Sequence, residues 1–179
     1  MVKRSKPLES WLQSDKVLVV DDFDLIQSLH DKGLFGSVIG QQLELSFVEA
    51  LYLMEKGKIV VYDKVKKPLS VAGFARKVKL VNPRFWTRYR VYSDIRSRGY
   101  IVKAALKFGA DFSVYDRGTT PGRSHSKWVL FAVSADDSFS WREFSAMNRV
   151  AHSVKKHLLV GIVDAESDVT YYSVRWTRP

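Results

Sequence analysis

Two α/β domains meeting near Asn82-Pro83 are the fold this sequence predicts, and three observations predict it. Segments with helical spacing alternate along the chain with short apolar runs of strand length. Two Ser-x-x-Glu signatures, Ser46-Phe47-Val48-Glu49 and Ser140-Trp141-Arg142-Glu143, each mark a helix start, one in either half. Charge also divides unevenly about the same point. Residues 1–82 carry 13 Lys/Arg against 10 Asp/Glu, whereas residues 83–179 carry 16 against 9. The boundary is therefore placed between an N-terminal domain, 1–82, and a C-terminal domain, 83–179.

In the first domain, Val17 to Val20 reads as a short strand, and Phe23 to Lys32 as a helix stopped at Gly33. The Ser46 oxygen is placed to accept the amide of Glu49, whose carboxylate reaches back; this opens a helix through Lys56 with Gly57 at its end. Lys58 to Tyr62 then alternates as a strand. Ser70 caps a further helix to about Leu80.

In the second domain, Pro83 to Arg98 is a long basic and aromatic helix ended by Gly99. Tyr100 to Leu106, Ala110 to Tyr115 and Lys127 to Ala135 read as strands, with Gly109 in the first turn. Asp116 to Ser126 is polar and contains Gly118, Pro121 and Gly122, which predicts an exposed loop. The Ser140 box opens a helix to about Val154. Leu158 to Val163 is a continuous apolar strand suited to a buried sheet position, and Val169 to Trp176 is the last strand.

With 46% hydrophobic and 13% aromatic residues over 179 positions, the chain has enough apolar surface for packed cores. No apolar run approaches the roughly 18–20 residues that span a bilayer. The opening MVKRSKPLESW lacks a hydrophobic segment behind its charges, so neither a signal peptide nor a membrane anchor is indicated, and a cytoplasmic location is expected. The absence of cysteine excludes disulfides, thiolate metal sites and cysteine nucleophiles. A net charge of +10 points to a polyanionic partner. Between Arg84 and Lys107 seven basic residues interleave with Phe85, Trp86, Tyr89, Tyr92 and Tyr100; this is either a nucleic-acid face or the outer side of a helix over an aromatic core.

Three side chains in the basic half fit metal-free RNA cleavage. RNA supplies its own nucleophile, the 2'-hydroxyl. The protein then needs a base for that proton, an acid for the departing 5'-oxygen, and a cation for the charge building on phosphorus. His125 suits the acid, because imidazole titrates nearest neutral pH and a polar loop can present it. Tyr115 stands at a predicted strand end, but an ordinary phenol pKa of about 10 makes it a poor base without neighbouring positive charge. Either Lys155 or Lys156 supplies a cation near the sheet edge, and composition does not choose between them. Arg149 on the Ser140 helix, and Arg175 or Arg178 beside Trp176, have the planar guanidinium that stacks on unpaired bases. His152 and His157 are five apart, the wrong spacing for a metal pair on one helical face, so no metal is expected.

The segments RSRGYIVKAALKFGADFSVYDRG, SHSKWVLFAV, RVAHSVKKHLLVGIVDA and YYSVRWTRP resemble, in order and spacing, the C-terminal half of the archaeal tRNA-splicing endonucleases, the tRNA-intron endonuclease family. LSFVEALYLMEKGKIVVYD is similar to the family's smaller N-terminal domain. The resemblance implies an α/β accessory domain followed by a restriction-endonuclease-like domain with a central mixed sheet. It implies Tyr115 as general base, His125 as general acid and Lys156 as the transition-state cation, and so separates Lys156 from Lys155. It further implies Arg149 and, ahead of Arg178, Arg175 as base-clamping residues. The substrate would be precursor tRNA, cut at a bulge-helix-bulge at both exon–intron junctions without a cofactor, leaving 2',3'-cyclic phosphate and 5'-hydroxyl ends. The resemblance also implies a homotetramer built as a dimer of dimers, whose symmetry would space two cuts, joined through an acidic loop that Asp136-Asp137 matches. The alternative is a non-catalytic RNA-positioning subunit of a heteromeric enzyme. Ala105 departs from the glycine common in the family, within a predicted strand, and puts the local backbone there in question.

Overall fold

A computed structural model describes residues 6–105, 109–119, 121–122 and 124–177. The chain divides into two units, residues 1–85 and 86–179. Each carries a five-stranded mixed sheet with helices.

In the first unit the strands β1 (Leu8–Leu12), β2 (Val17–Val19), β3 (Ser37–Ile39), β4 (Gln42–Leu45) and β5 (Ile59–Tyr62) are ordered β3-β4-β2-β1-β5. Only β1 and β5 pair in parallel. Three of these strands are not apparent in the sequence. In β1 the inward positions are Leu8 and Ser10; the fully buried serine interrupts the apolar alternation and is satisfied by donating to the Val60 carbonyl oxygen at 2.8 Å. The short hairpin β3-β4 turns at Gly40-Gln41, where Gly40 adopts φ +62°.

Helices α1 (Phe23–Gly33), α2 (Phe47–Glu55) and α3 (Val71–Val81) complete the unit. Asp22 caps α1 by accepting from the amides of Asp24 and Leu25. Gly33 is the last residue of α1, and the left-handed position falls on Leu34 instead. A Cβ on Gly33 would lie 2.2 Å from the Phe35 ring, so this glycine makes room for an aromatic side chain. Ser46 and Glu49 form the reciprocal cap expected of them. Glu49 does more: its second oxygen accepts from the Gly36 amide at 2.8 Å, tying the segment before β3 to the start of α2. Gly36 sits at φ +58°, and a Cβ there would meet the Glu44 carbonyl oxygen at 2.2 Å. Ser70 caps α3, and Phe74 and Val78 are its buried residues.

The second unit opens with α4 (Phe85–Ser97) and orders its strands β10-β9-β8-β7-β6, where β6 is Ile101–Ala104, β7 Phe112–Tyr115, β8 Trp128–Ser134, β9 His157–Val163 and β10 Val169–Val174. The pair β8–β9 is parallel and the other pairs are antiparallel. Helix α5 (Trp141–Ser153) supplies the β8–β9 crossover and covers one face, packing Ala151, Met147 and Val150 on Val129, Phe131 and Leu158. Ala105, which follows β6, is buried in this same core. Leu106, expected to end that strand, lies outside the described residues. β10 stops at Val174, two residues before the expected end at Trp176, so Arg175 and Trp176 leave the sheet.

The arginines of α4 are occupied within the unit. Arg88 pairs with buried Asp111 at 2.9 Å, and Arg90 donates to the Ser167 carbonyl oxygen at 2.9 Å. Arg98 grips Asp94 through two nitrogens. Asp94 also accepts from the Tyr171 hydroxyl at 2.8 Å. Burial first, and this bond to Asp94 second, push the Tyr171 phenol above its ordinary range. These ties bear on the choice posed by the basic and aromatic stretch: Arg88 and Arg90 fasten α4 to the segments that lead into β7 and β10.

Candidate active site

The candidate residues Tyr115, His125 and Lys156 fall at one end of the second sheet, where β7 finishes and β8 and β9 begin. The Lys127 amide donates to the Val114 carbonyl oxygen at 2.9 Å, and the His157 amide donates to the Lys127 carbonyl oxygen at 3.1 Å. The backbone of Lys127 thus links the end of β7, at Tyr115, with the start of β9, just after Lys156. Two interstrand steps separate those outer positions, placing their backbones about 10 Å apart.

Tyr115 is half-buried and pairs with Ile101 on β6. Strand alternation puts it on the face of Ser113, opposite Val114, whose side chain lines a cleft with Trp128 and His157 on the other face. His125 is exposed, in the polar loop one residue before buried Ser126. Thr120 and Arg123 of this loop lie outside the described residues.

Lys155 and Lys156 occupy different environments, a distinction invisible in composition. After the α5 cap at Val154, the Lys155 amide donates to the His152 carbonyl oxygen and the Lys156 amide to that of Ala151, which together make a Schellman closure. Lys155 occupies its left-handed position, φ +55°, and is exposed. Lys156 is half-buried, and its Nζ donates to the Ser126 carbonyl oxygen at 3.0 Å. That bond holds an ammonium group against the carbonyl oxygen of Ser126, the residue after His125. Because a side chain at positive φ costs about 1 kcal/mol that glycine avoids, Lys155→Gly is expected to stabilise the protein by about 0.5–1 kcal/mol. Chemical denaturation checks this.

Two adjoining clefts extend from Lys156. The first, about 630 Å³, is lined by Lys155, Lys156, His157, His152, Arg175 and Trp176 among others. The second, about 760 Å³, holds Arg142 and Arg149 and shares His152 and Trp176 with the first. The rings of His152 and Trp176 stand 5.2 Å apart between them. Among the described residues neither lining contains a carboxylate, so the surface favours an anion throughout. Arg149 and Arg175 are both exposed here, and Arg178 lies outside the described residues.

Sequence reasoning gave Lys127 and His157 little weight. Lys127 is exposed, pairs loosely with Asp116 at 3.8 Å, and sets its ammonium 4.5 Å from the Trp128 ring centre. His157 lines clefts on both sides of the sheet edge. Their common signal was position: each borders a predicted strand start beside a candidate residue. Asp136 and Asp137 lie away from this group, exposed in the turn after β8. There Asp137 accepts from the Ser134 amide at 2.8 Å, so part of its role is to close that turn. Among the described residues no three His, Asp or Glu side chains converge as metal ligands, and no helix is long and apolar enough to cross a membrane.

Residues 85–171 match the family described as tRNA intron endonuclease, catalytic C-terminal domain, and residues 8–75 match the tRNA intron endonuclease N-terminal domain. A tRNA-splicing endonuclease of Methanothermobacter thermautotrophicus is 40% identical over 166 residues, covering 92% of this chain and 95% of its own. The tRNA-splicing endonuclease of Nanoarchaeum equitans is 45% identical over 153 residues, covering 82% and 97%. That of Thermococcus kodakarensis is 40% identical over 168 residues, covering 94% and 97%.

Proposed function

The chain belongs to the tRNA intron endonuclease family, and from that premise we propose that it cleaves precursor tRNA at both exon–intron junctions by attack of the RNA's own 2'-hydroxyl. Tyr115 takes the 2'-hydroxyl proton. The freed oxygen bonds to phosphorus, and the bond from phosphorus to the 5'-oxygen breaks. His125 protonates that departing oxygen, and Lys156 holds the negative charge that builds on the phosphoryl oxygens. The products are a 2',3'-cyclic phosphate and a 5'-hydroxyl.

The observation that carries this reading is the Lys156–Ser126 bond. It supports a fixed ammonium at the carbonyl oxygen of Ser126, the residue after His125, at the end of the sheet where Tyr115 ends its strand. Arg149 and Arg175, in the adjoining carboxylate-free clefts, are suited to stack on bulged bases while the lysines meet phosphates. No step of the chemistry uses a hydrolytic metal, so cleavage is expected to continue in excess EDTA once the RNA has been folded. Complete loss of cleavage of folded RNA in EDTA would contradict the mechanism.

Two cuts at a fixed distance need two sites held in register, which supports a homotetramer assembled as a dimer of dimers. Asp136 and Asp137, exposed in the turn after β8, are suited to enter a basic surface of another copy. The double change Asp136→Lys, Asp137→Lys is expected to halve the particle mass measured by light scattering. An unchanged mass would remove these residues from the interface.

A further inference from the structure

The first unit contains an apolar cup of about 350 Å³ that the reaction does not use. Its wall is Leu25 and Leu29 of α1 with Tyr52 of α2; its floor is the buried Leu8, Phe35 and Leu53. Phe35 lies 6.0 Å from Tyr52, ring centre to ring centre, in the space that Gly33 leaves by lacking a Cβ. Leu25 is 48% exposed, so the cup opens to solvent.

Lys6, Lys32, Lys56 and Lys58 line the same cup. Two aspects of their placement matter. Lys56 sets its ammonium 5.4 Å from the centre of the Tyr52 ring, so cation and aromatic wall stand side by side in the cup. Lys32 and Lys56 stand at the C-terminal ends of α1 and α2, so an anion here would be held by ammonium groups and not by helix amides.

We propose that this cup takes a single unstacked nucleotide of the bound RNA, with the base against Tyr52 and Phe35 and its phosphates on the lysines. The volume lies at the small end of ligand pockets, in keeping with one base and its sugar. Aromatic walls combined with cations are the usual means of holding an unpaired base. Such a contact lies in the N-terminal unit, outside the catalytic domain, and adds a hold on RNA separate from the proposed catalytic residues. The inference rests on the RNA reading above for the identity of the polymer.

The test uses the full chain and hexauridylate carrying one 4-thiouridine, photo-crosslinked and mapped by mass spectrometry. This RNA has no splice junction, so its outcome is separate from that of the cleavage reading. Crosslinks are expected on the peptides that contain Phe35 or Tyr52. Ser28→Trp, which fills the cup without altering charge, and the combined Lys32→Glu, Lys56→Glu, Lys58→Glu change are each expected to lower that yield about tenfold. Leu25→Trp serves if the melting temperature shows Ser28→Trp to be misfolded. Absence of these crosslinks in the parent protein overturns the proposal. So does a yield that falls with charge reversal but persists when the cup is filled, which would indicate surface attraction only. A yield that persists in the filled variant, together with a lower mass by light scattering, would assign the cup to a second copy and overturn it equally.

Discussion

His125→Ala is expected to lower single-turnover cleavage of a bulge-helix-bulge RNA by about 10²–10⁴-fold, the range spanned by loss of a general acid. Without it the 5'-oxygen departs as an alkoxide, a poor leaving group at neutral pH. Binding should change little, because His125 is one exposed loop residue and affinity resides mainly in the many phosphate contacts. Single-turnover kinetics at saturating protein separate these two effects. A variant that cleaves at the parent rate would remove His125 from the mechanism.

Lys156→Met is expected to lower the same rate constant by about 10²–10³-fold, as loss of one charged stabiliser of a phosphoryl transition state does. Methionine keeps the apolar stem while removing the ammonium. The substitution also leaves the Ser126 carbonyl oxygen without its donor, for a stability loss of about 1–2 kcal/mol. Lys155→Met provides the comparison. Lys155 is exposed at the end of α5, and its removal should weaken RNA binding slightly through lost charge, with the cleavage step unaltered. Equal losses of rate in the two variants would mean that the Ser126 bond confers no distinct role on Lys156.

The contrast between these neighbouring lysines shows what was legible in the sequence and what was not. Both capping boxes were readable because their chemistry is local: a serine and a glutamate three residues apart determine each other's geometry. The strands of the second unit were readable for a similar reason, since apolar runs such as Leu158 to Val163 have no other comfortable place than a sheet interior. β1 was not, because Ser10 interrupts its pattern and is satisfied by a carbonyl 50 residues away. The residue types of the candidate site were visible in the chain and in its likeness to a family. Their arrangement was not, since it depends on register: the end of β7 and the start of β9 come to the same end of the sheet through the backbone of Lys127. Long-range pairing also explains why the basic and aromatic helix was ambiguous. Asp111 and Ser167, which occupy Arg88 and Arg90, are respectively 23 and 77 residues away.

The same contrast bears on which tyrosine acts. Tyr171 is held by burial and Asp94 in its protonated form, as a donor that secures α4 to β10. Tyr115 stands instead at a strand end, half-buried and paired with Ile101 on β6. The likeness to the family is what proposes it as the base.

In the proposed reaction this chain alone performs the cleavage with the RNA's own hydroxyl. The most direct test incubates the purified protein, without any partner, with an intron-containing precursor tRNA and maps the new ends. Cuts at both junctions are expected, with 2',3'-cyclic phosphate on one side and 5'-hydroxyl on the other. Intact RNA that is cut only after a second subunit is added would identify the chain as a positioning subunit. Products bearing 5'-phosphates would contradict the 2'-hydroxyl mechanism itself.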